Sequence, residues 1–426
     1  MAEMRYIDGG VTAPKGFYAA GVHAGLKKDA DRKDMAMVHS TAPCETAGVF
    51  TRNLVKAAPV KWDKAVVTSG KTSRSVIINS GIANACTGEE GMQYCRETAE
   101  AVAALFSDDP ETVLVASTGV IGQQLPMQIM RGGAEALASK VKEAVERGKC
   151  AAGENGSGTR EEAHEAAQAI MTTDTVPKEV ALQAEIGGKT VTMAGMCKGS
   201  GMIHPNMCTM LCFVTTDCAI SGEMLQKALS ADVVDTFNMV SVDGDTSTND
   251  TVLLMANGLA GNARIEEEGE DYEILCGMLR EVMTILSKKI AGDGEGASAL
   301  FEVTVKGAAT KEQARTLAKS IVTSSLTKAA IFGHDANWGR ILCAMGYSGA
   351  EFDPEKTDIY FSSEGGCIQI VKDGVATDYS EEEATKILSY PEVNTTADIK
   401  AGEETATAWG CDLTYEYVKI NADYRS

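Results

Sequence analysis

The segment Lys198-Gly-Ser-Gly-Met-Ile-His-Pro-Asn-Met-Cys208-Thr209-Met-Leu211 puts a lysine, a histidine, a thiol and a hydroxyl into one short stretch. Its glycines and proline predict an irregular loop. At Thr209 the loop runs into an apolar run, Met210–Thr216, that reads as a buried strand. A hydroxyl at such a junction is held by a rigid element, as a nucleophile requires. The Thr209 Oγ could attack the carbonyl of Cys208, cut the chain there and leave Thr209 with a free α-amino group. That amine, with a reference pKa of about 7.7–8.0, would be a general base beside its own hydroxyl. A β-branched residue that merely opens a strand is the other reading, and the residue types leave both open. The order Cys197-Lys-Gly-Ser-Gly201 is not that of a phosphate loop, which needs Gly-Lys-Ser/Thr after four spacer residues.

Other residues that could do chemistry are dispersed. His23, His39, His164, His204 and His334 lie far apart, and no Cys/His group has zinc spacing. Asp243, Asp245 and Asp250 sit in one hydroxyl-rich run, which lacks the twelve-residue calcium-loop pattern and reads as a self-satisfied turn. No metal site and no cofactor are expected. His204 lies five residues before Thr209 and reads as loop-lining, because the Thr209 amine would already supply the base.

The elements that must hold these residues alternate between short apolar strands and helical periods. Strands are expected at Val76–Asn79, Val113–Ser117, Lys189–Met193, Met210–Thr216, Phe301–Lys306, Thr357–Phe361 and Cys367–Val371. Helices are expected near 91–105, 127–146, 160–171 and 223–239. Another at Asp271–Ile290 sets Ile274, Met278, Val282 and Ile285 on one face, and Thr310 with Gln313 forms a capping box before a further one. The run Cys411–Asn421 reads as a half-exposed strand from the alternation of Leu413, Tyr415 and Tyr417. Gly153–Thr159 and Gly292–Ser298 read as linkers, the second as the main domain boundary, giving domains of 1–292 and 293–426. The class is α/β or α+β, with sheets covered by helices.

Composition bounds the rest. The 39 basic and 60 acidic residues give a formal charge of −21, which argues against nucleic acid and anionic membrane as partners. With 44% apolar and 23% charged residues the chain is globular rather than disordered. No run reaches the 18 or so apolar residues of a membrane helix, and the first ten residues carry charge where a signal peptide needs apolar side chains. The 12 cysteines, scattered among apolar neighbours, then read as reduced, buried thiols of a cytoplasmic protein.

The stretch Lys198–Asp217 closely resembles the self-cleavage segment of the ornithine acetyltransferases (glutamate N-acetyltransferases), and the resemblance runs along essentially the whole chain. It recurs in Gly48–Asn53, Asn79–Asn84, Ser117–Gly122, Met171–Asp174, Asp243–Asp250, Gly292–Gly296, Gly333–Arg340 and Asn421–Ser426. Each glycine-rich piece is weak alone; their number and order make the match specific.

The resemblance implies an N-terminal-nucleophile-like αββα arrangement with a smaller C-terminal α/β domain, whose terminal strand and tail return to the active site. It implies a precursor cut between Cys208 and Thr209 into an α chain of 1–208 and a β chain of 209–426, assembled as α2β2. Thr209 would take the acetyl group of N2-acetylornithine and pass it to glutamate. Thr118 and Gly119 match the oxyanion-hole pair, and Thr172, Lys198, Thr209, Glu295, Asn421 and Ser426 match the substrate contacts. Lys198 suits a substrate carboxylate as a point charge, and Glu295 an ornithine ammonium or the substrate amide. Cys208 departs from the alanine more usual there but keeps a small side chain. The family contains members that also use acetyl-CoA and members that do not. Two competing readings are a related N-terminal-nucleophile aminopeptidase or amidase, and an uncleaved amino-acid-binding protein.

Overall fold

In the computed structural model, residues 3–152, 156–204 and 210–423 are described. Cys208, Thr209 and Ser426, three of the residues singled out above, lie outside them. In chain order the strands are β1 (Arg5–Tyr6), β2 (Phe17–Val22), β3 (Met35–Phe50), β4 (Ser73–Ile82), β5 (Leu114–Val120), β6 (Lys178–Ile186), β7 (Lys189–Lys198), β8 (Leu211–Thr216), β9 (Val240–Ser241) and β10 (Thr251–Ala256). Then follow β11 (Leu300–Ala308), β12 (Asp358–Ser363), β13 (Gly366–Lys372), β14 (Val375–Ala376), β15 (Glu392–Asp398) and β16 (Glu404–Cys411). The helices used below are α1 (Ala58–Thr68), α2 (Gly88–Phe106), α3 (Met127–Ala152), α4 (Arg160–Ala169), α5 (Gly222–Asp232), α6 (Glu270–Gly292) and, near the end, α7 (Tyr415–Asp423).

Strand β3 divides the first sheet into two leaves. Its first part, Met35–His39, pairs with β2 and β4. Its second, Glu45–Phe50, pairs with β10, and the register shifts between His39 and Cys44, around Pro43. Proline removes a ladder donor and is tolerated at such an irregularity. One leaf is thus β2-β3-β4-β5 and the other β3-β10-β8-β7-β6-β1.

Alternation of side chains then sets the layers. Val76 and Ile78 of β4 pack with Leu211 and Phe213 of β8 and Leu253 and Met255 of β10, forming the core between the leaves. The intervening Ile77 and Val115 face α2 and α3 on one outer side. Cys212, Val214, Val252 and Leu254 face α5 and α6 on the other. The order is helices, leaf, leaf, helices, the αββα arrangement expected. A second sheet, β14-β13-β12-β15-β11-β16-β9, shares the α6 core.

The expected buried strands form, but several elements differ from expectation. The buried stripe of α6 is Leu275, Met278, Leu279, Val282 and Leu286, with Ile274 and Ile285 at its half-buried margins. The helix expected to reach Met239 stops at Asp232 and gives way to two short 3-10 turns. Thr310 accepts the Gln313 N–H, but the Gln313 side chain accepts from Ala309 rather than from Thr310, so the box is only half made. The strand expected over Cys411–Asn421 is absent: β16 ends at Cys411 and α7 follows. Asp412 turns away to accept the N–H groups of Ser298 and Ala299, and the Thr414 hydroxyl accepts the N–H of Glu416, capping the new helix. No residue of α7 is buried, so burial period carried no helical signal there. Gly153–Thr159 falls partly outside the described residues, and Thr159 itself caps α4 in a capping box with Glu162.

Candidate active site

At the open ends of β4, β5, β7 and β8 lies a cavity of about 160 Å³ lined by Thr118, Gly119, Thr172, Lys198, Glu295 and Asn421, together with Asn249 and Asp250. Six residues chosen from the sequence, drawn from five separate chain segments, therefore meet in one place.

The Thr118–Gly119 wall depends on glycine. Gly119 has φ +131°, and a Cβ on it would lie 2.2 Å from the carbonyl carbon of Gly81 in the neighbouring β4. The Asn249 amide donates to the carbonyls of Ala83 at 2.6 Å and Ser117 at 2.8 Å, so the turn before β10 clamps the ends of both strands.

Lys198 ends β7 and is nearly buried. Its Nζ lies 4.0 Å from Asp174, whose carboxylate also accepts Lys178 Nζ at 2.7 Å, the Gly199 N–H at 2.6 Å and the Thr172 N–H at 3.0 Å. Burial opposes ionisation of Asp174, but Lys198 and Lys178 outweigh it and hold the carboxyl well below the usual carboxylate range. Burial pushes the Lys198 ammonium down, with Lys178 adding repulsion against the attraction of Asp174, Asp250 and Glu295. Lys178 also bonds Asp293, at 2.5 Å.

The stretch Gly292–Ser298, read as a linker, is held by hydrogen bonds and contributes Glu295 to the cavity wall. The Asp293 carboxylate accepts Lys178, and its carbonyl accepts the Ser200 hydroxyl at 2.7 Å. Ser200 in turn accepts the Glu295 N–H at 3.0 Å on its carbonyl. Glu295 is buried, and its carboxylate accepts the Asn421 amide at 2.7 Å, which brings the end of the chain into the site. A Cβ on Gly201 would sit 2.3 Å from that carboxylate, so a bare backbone is what lets Glu295 enter.

Both flanks of the 205–209 segment are anchored. Met202 and Ile203 donate their N–H groups to Asp243, at 2.5 and 2.9 Å, and the Thr246 hydroxyl donates to the His204 carbonyl at 2.8 Å. Beyond it, the Met210 carbonyl accepts from Thr251 at 2.9 Å. His204 lines a separate cavity beside Lys319, and burial followed by that lysine's charge lowers its pKa to about 4. His334 is exposed and lies elsewhere. Asp243 spends its carboxylate on the loop backbone, and Asp250 is buried in the wall of the candidate cavity. There burial pushes the Asp250 carboxyl well above its ordinary value against the pull of the Ser247 and Thr51 hydroxyls, and one of its oxygens has no partner among the described residues.

Sequence reasoning missed Asp174, Lys178, Asp293 and Asn249 as parts of the site. Asp174 and Asn249 stood within recognised motifs; Lys178 opens β6 and carried no signal of its own.

The chain matches the ArgJ family over residues 18–426. It is 50% identical to the arginine biosynthesis bifunctional protein ArgJ of Symbiobacterium thermophilum, with 99% of this chain and 100% of that one covered. It is 47% identical to the protein of the same name from Thermotoga neapolitana, with 97% and 99% covered. The crystal structure of arginine biosynthesis bifunctional protein argJ from Bacillus halodurans is 50% identical, covers 51% of this chain and 100% of that chain, and superposes with a TM-score of 0.48.

Proposed function

The chain belongs to the ArgJ family, and from that membership we propose a self-processing acetyltransferase of arginine biosynthesis that moves the acetyl group of N2-acetylornithine to glutamate. The observation that carries the reading is the cavity that gathers Thr118, Gly119, Thr172, Lys198, Glu295 and Asn421 beside the anchored ends of the segment holding Thr209.

In this reading Thr209 Oγ first attacks the Cys208 carbonyl, and the peptide resolves with water into a Cys208 carboxylate and a Thr209 amine. The amine then takes the proton from Oγ as the oxygen attacks the acetyl carbonyl of N2-acetylornithine. The amide C–N bond breaks, the proton passes to the leaving ornithine amine, and an acetyl ester stays on Thr209. Glutamate's amine attacks that ester and the same proton path runs in reverse. Charge on the acetyl oxygen would be met by the Thr118–Gly119 wall, where one donor of this kind is worth about 10²–10³ in rate.

Lys198 supplies the cation for the α-carboxylate common to both substrates. Asp174 keeps it oriented, and Thr172 lies alongside. Glu295, steadied by Asn421, faces the cationic part of ornithine, with Ser426 assigned to the same end. A cavity of about 160 Å³ suits an amino acid; drug-sized ligands take roughly 300–1,000 Å³, so the bulk of acetyl-CoA would have to stay outside. We assign residues 1–292 and 293–426 to two domains, with Glu295 and Asn421 reaching the cavity from the second, and place the protein in the cytoplasm as α2β2. Among the described residues no helix is long and apolar enough to cross a membrane.

The test is incubation with N2-acetylornithine with and without glutamate, with acetyl-CoA as a third arm. N-acetylglutamate formation matched to ornithine release supports the transferase. Equal ornithine release in both arms with no N-acetylglutamate would make it a hydrolase. Intact mass should show two chains of 208 and 218 residues from the 426.

A further inference from the structure

A second cavity, of about 480 Å³, opens at the other end of the β2-β3-β4-β5 leaf. Strand β4 connects the two places: Arg74 lines this cavity, and Ile82 lies beside the Thr118–Gly119 wall. At about 3.3 Å per residue the eight steps between them span roughly 26 Å. The cavities share no lining residue.

Its interior is apolar with polar groups left to satisfy. Tyr18 is 1% exposed, lines the cavity, and its hydroxyl has no hydrogen-bond partner among the described residues. His39, also buried, bonds Ser75 at 2.8 Å through Nδ1, while its other ring nitrogen has no partner among the described residues. The His39 ring stacks on Phe106 with centroids 4.2 Å apart.

The mouth is cationic in a chain of charge −21. Lys142 sits over the Phe106 ring, 5.5 Å from its centroid, and has no ion pair among the described residues. Lys149 pairs only with the exposed Glu146, which also lines the rim. Arg74 forms part of the wall but is committed to Asp108 and to the carbonyls of Ser40 and Thr41. Against a repulsive overall field, Lys142 without an ion pair and Lys149 with only an exposed partner, over an apolar, hydroxyl-bearing pocket, select for negative charge joined to an apolar body.

We propose that this cavity is a binding site for an amphipathic organic anion. Its apolar or aromatic body lies along Phe106, a polar group meets Tyr18 at depth, and its acid lies between Lys142 and Lys149. The site is separate from acetyl transfer and does not depend on the function assigned above.

The test is fluorescence titration with the aromatic sulfonate anilinonaphthalenesulfonate and with the uncharged phenylnaphthylamine. Two variants are compared with the unmodified protein: Val145→Trp, which fills the cavity from its half-buried rim, and the exposed pair Lys142→Glu/Lys149→Glu. Melting curves establish that both remain folded. The charge reversal should weaken sulfonate binding about tenfold and leave the neutral probe unaffected, and Val145→Trp should abolish binding of both. Sulfonate binding that survives both variants unchanged would overturn the assignment. So would charge reversal that alters the two probes equally, because the selection for an anion would be gone.

Discussion

Replacing Gly201 by alanine tests whether the position of Glu295, rather than its mere presence, governs the site. The added Cβ would lie 2.3 Å from the Glu295 carboxyl carbon and one oxygen, and 2.4 Å from the other. Ordinary contact begins near 3.4 Å, so the carboxylate must retreat by about 1 Å. The 2.7 Å bond from Asn421 would then stretch beyond hydrogen-bond range. Misplacement of this size in a positioned group is worth about 10² in rate. The obstacle is the end of a flexible side chain, so stability should fall by no more than about 1–3 kcal/mol. The assay is kcat/KM for ornithine release from N2-acetylornithine, with intact mass showing that chain cutting is retained. Gly132→Ala is the control, since a Cβ there meets nothing within 4 Å; in mid-helix it should stabilise by about 1 kcal/mol without touching activity. If Gly201→Ala stays within about twofold of the parent while the variant is fully processed, Glu295 does not act by position and the reading of that wall fails.

Thr209→Ala should give a single uncut, folded and inactive chain by mass spectrometry, whereas Thr209→Ser should still be cut; normal processing of the alanine variant would move the nucleophile elsewhere. Lys198→Gln should raise KM for donor and acceptor alike, by roughly 10–100-fold, the worth of a hydrogen bond to a charged group; a change confined to kcat would remove Lys198 from carboxylate binding. Asp174→Asn takes the paired carboxylate from buried Lys198 and leaves Lys178 to Asp293 alone, and should cost about 3–5 kcal/mol in denaturant titrations. Because the folded Asp174 carboxyl lies below its unfolded value, the carboxylate stabilises above about pH 4, and that stability drains away as pH falls through the folded value. The asparagine variant should therefore lose part of the parent's acid sensitivity, and an unchanged acid limb would show that Asp174 does not carry it.

The strands that hold the site were legible where their buried runs are short, β-branched and uninterrupted, as in Val76–Asn79, while Phe301–Lys306 of the second sheet was legible by its alternation. Thr118, Lys198 and Glu295 were found through motif order, and the structure brings them to one cavity. Strand β3 was not seen: Pro43 and several small residues break its pattern where it leaves one leaf for the other. The last helix read as a strand because an exposed helix carries no apolar stripe. Gly292–Ser298 read as a linker because glycine marks flexible chain and close backbone approach alike; only the packing of Asp293 and Glu295 distinguishes them. In the Asp174–Lys178–Asp293 network the Lys178–Asp293 link joins residues more than a hundred positions apart, a pairing that no local pattern encodes.

Strand β8 lies between β7 and β10, and β10 is bounded on its other side by β3. A cut between Cys208 and Thr209 would leave β3 and β7 in one piece and β8 and β10 in the other, so two strands of the second piece would stand in the middle of the first piece's sheet. Renaturation of such a product from separated pieces is a second-order encounter that slows on dilution, whereas the uncut precursor refolds within one molecule at a rate blind to concentration. Maturation of this kind behaves as a ratchet. The information needed to assemble the sheet is used once, while the chain is whole, and a molecule later shaken apart is more readily replaced than repaired.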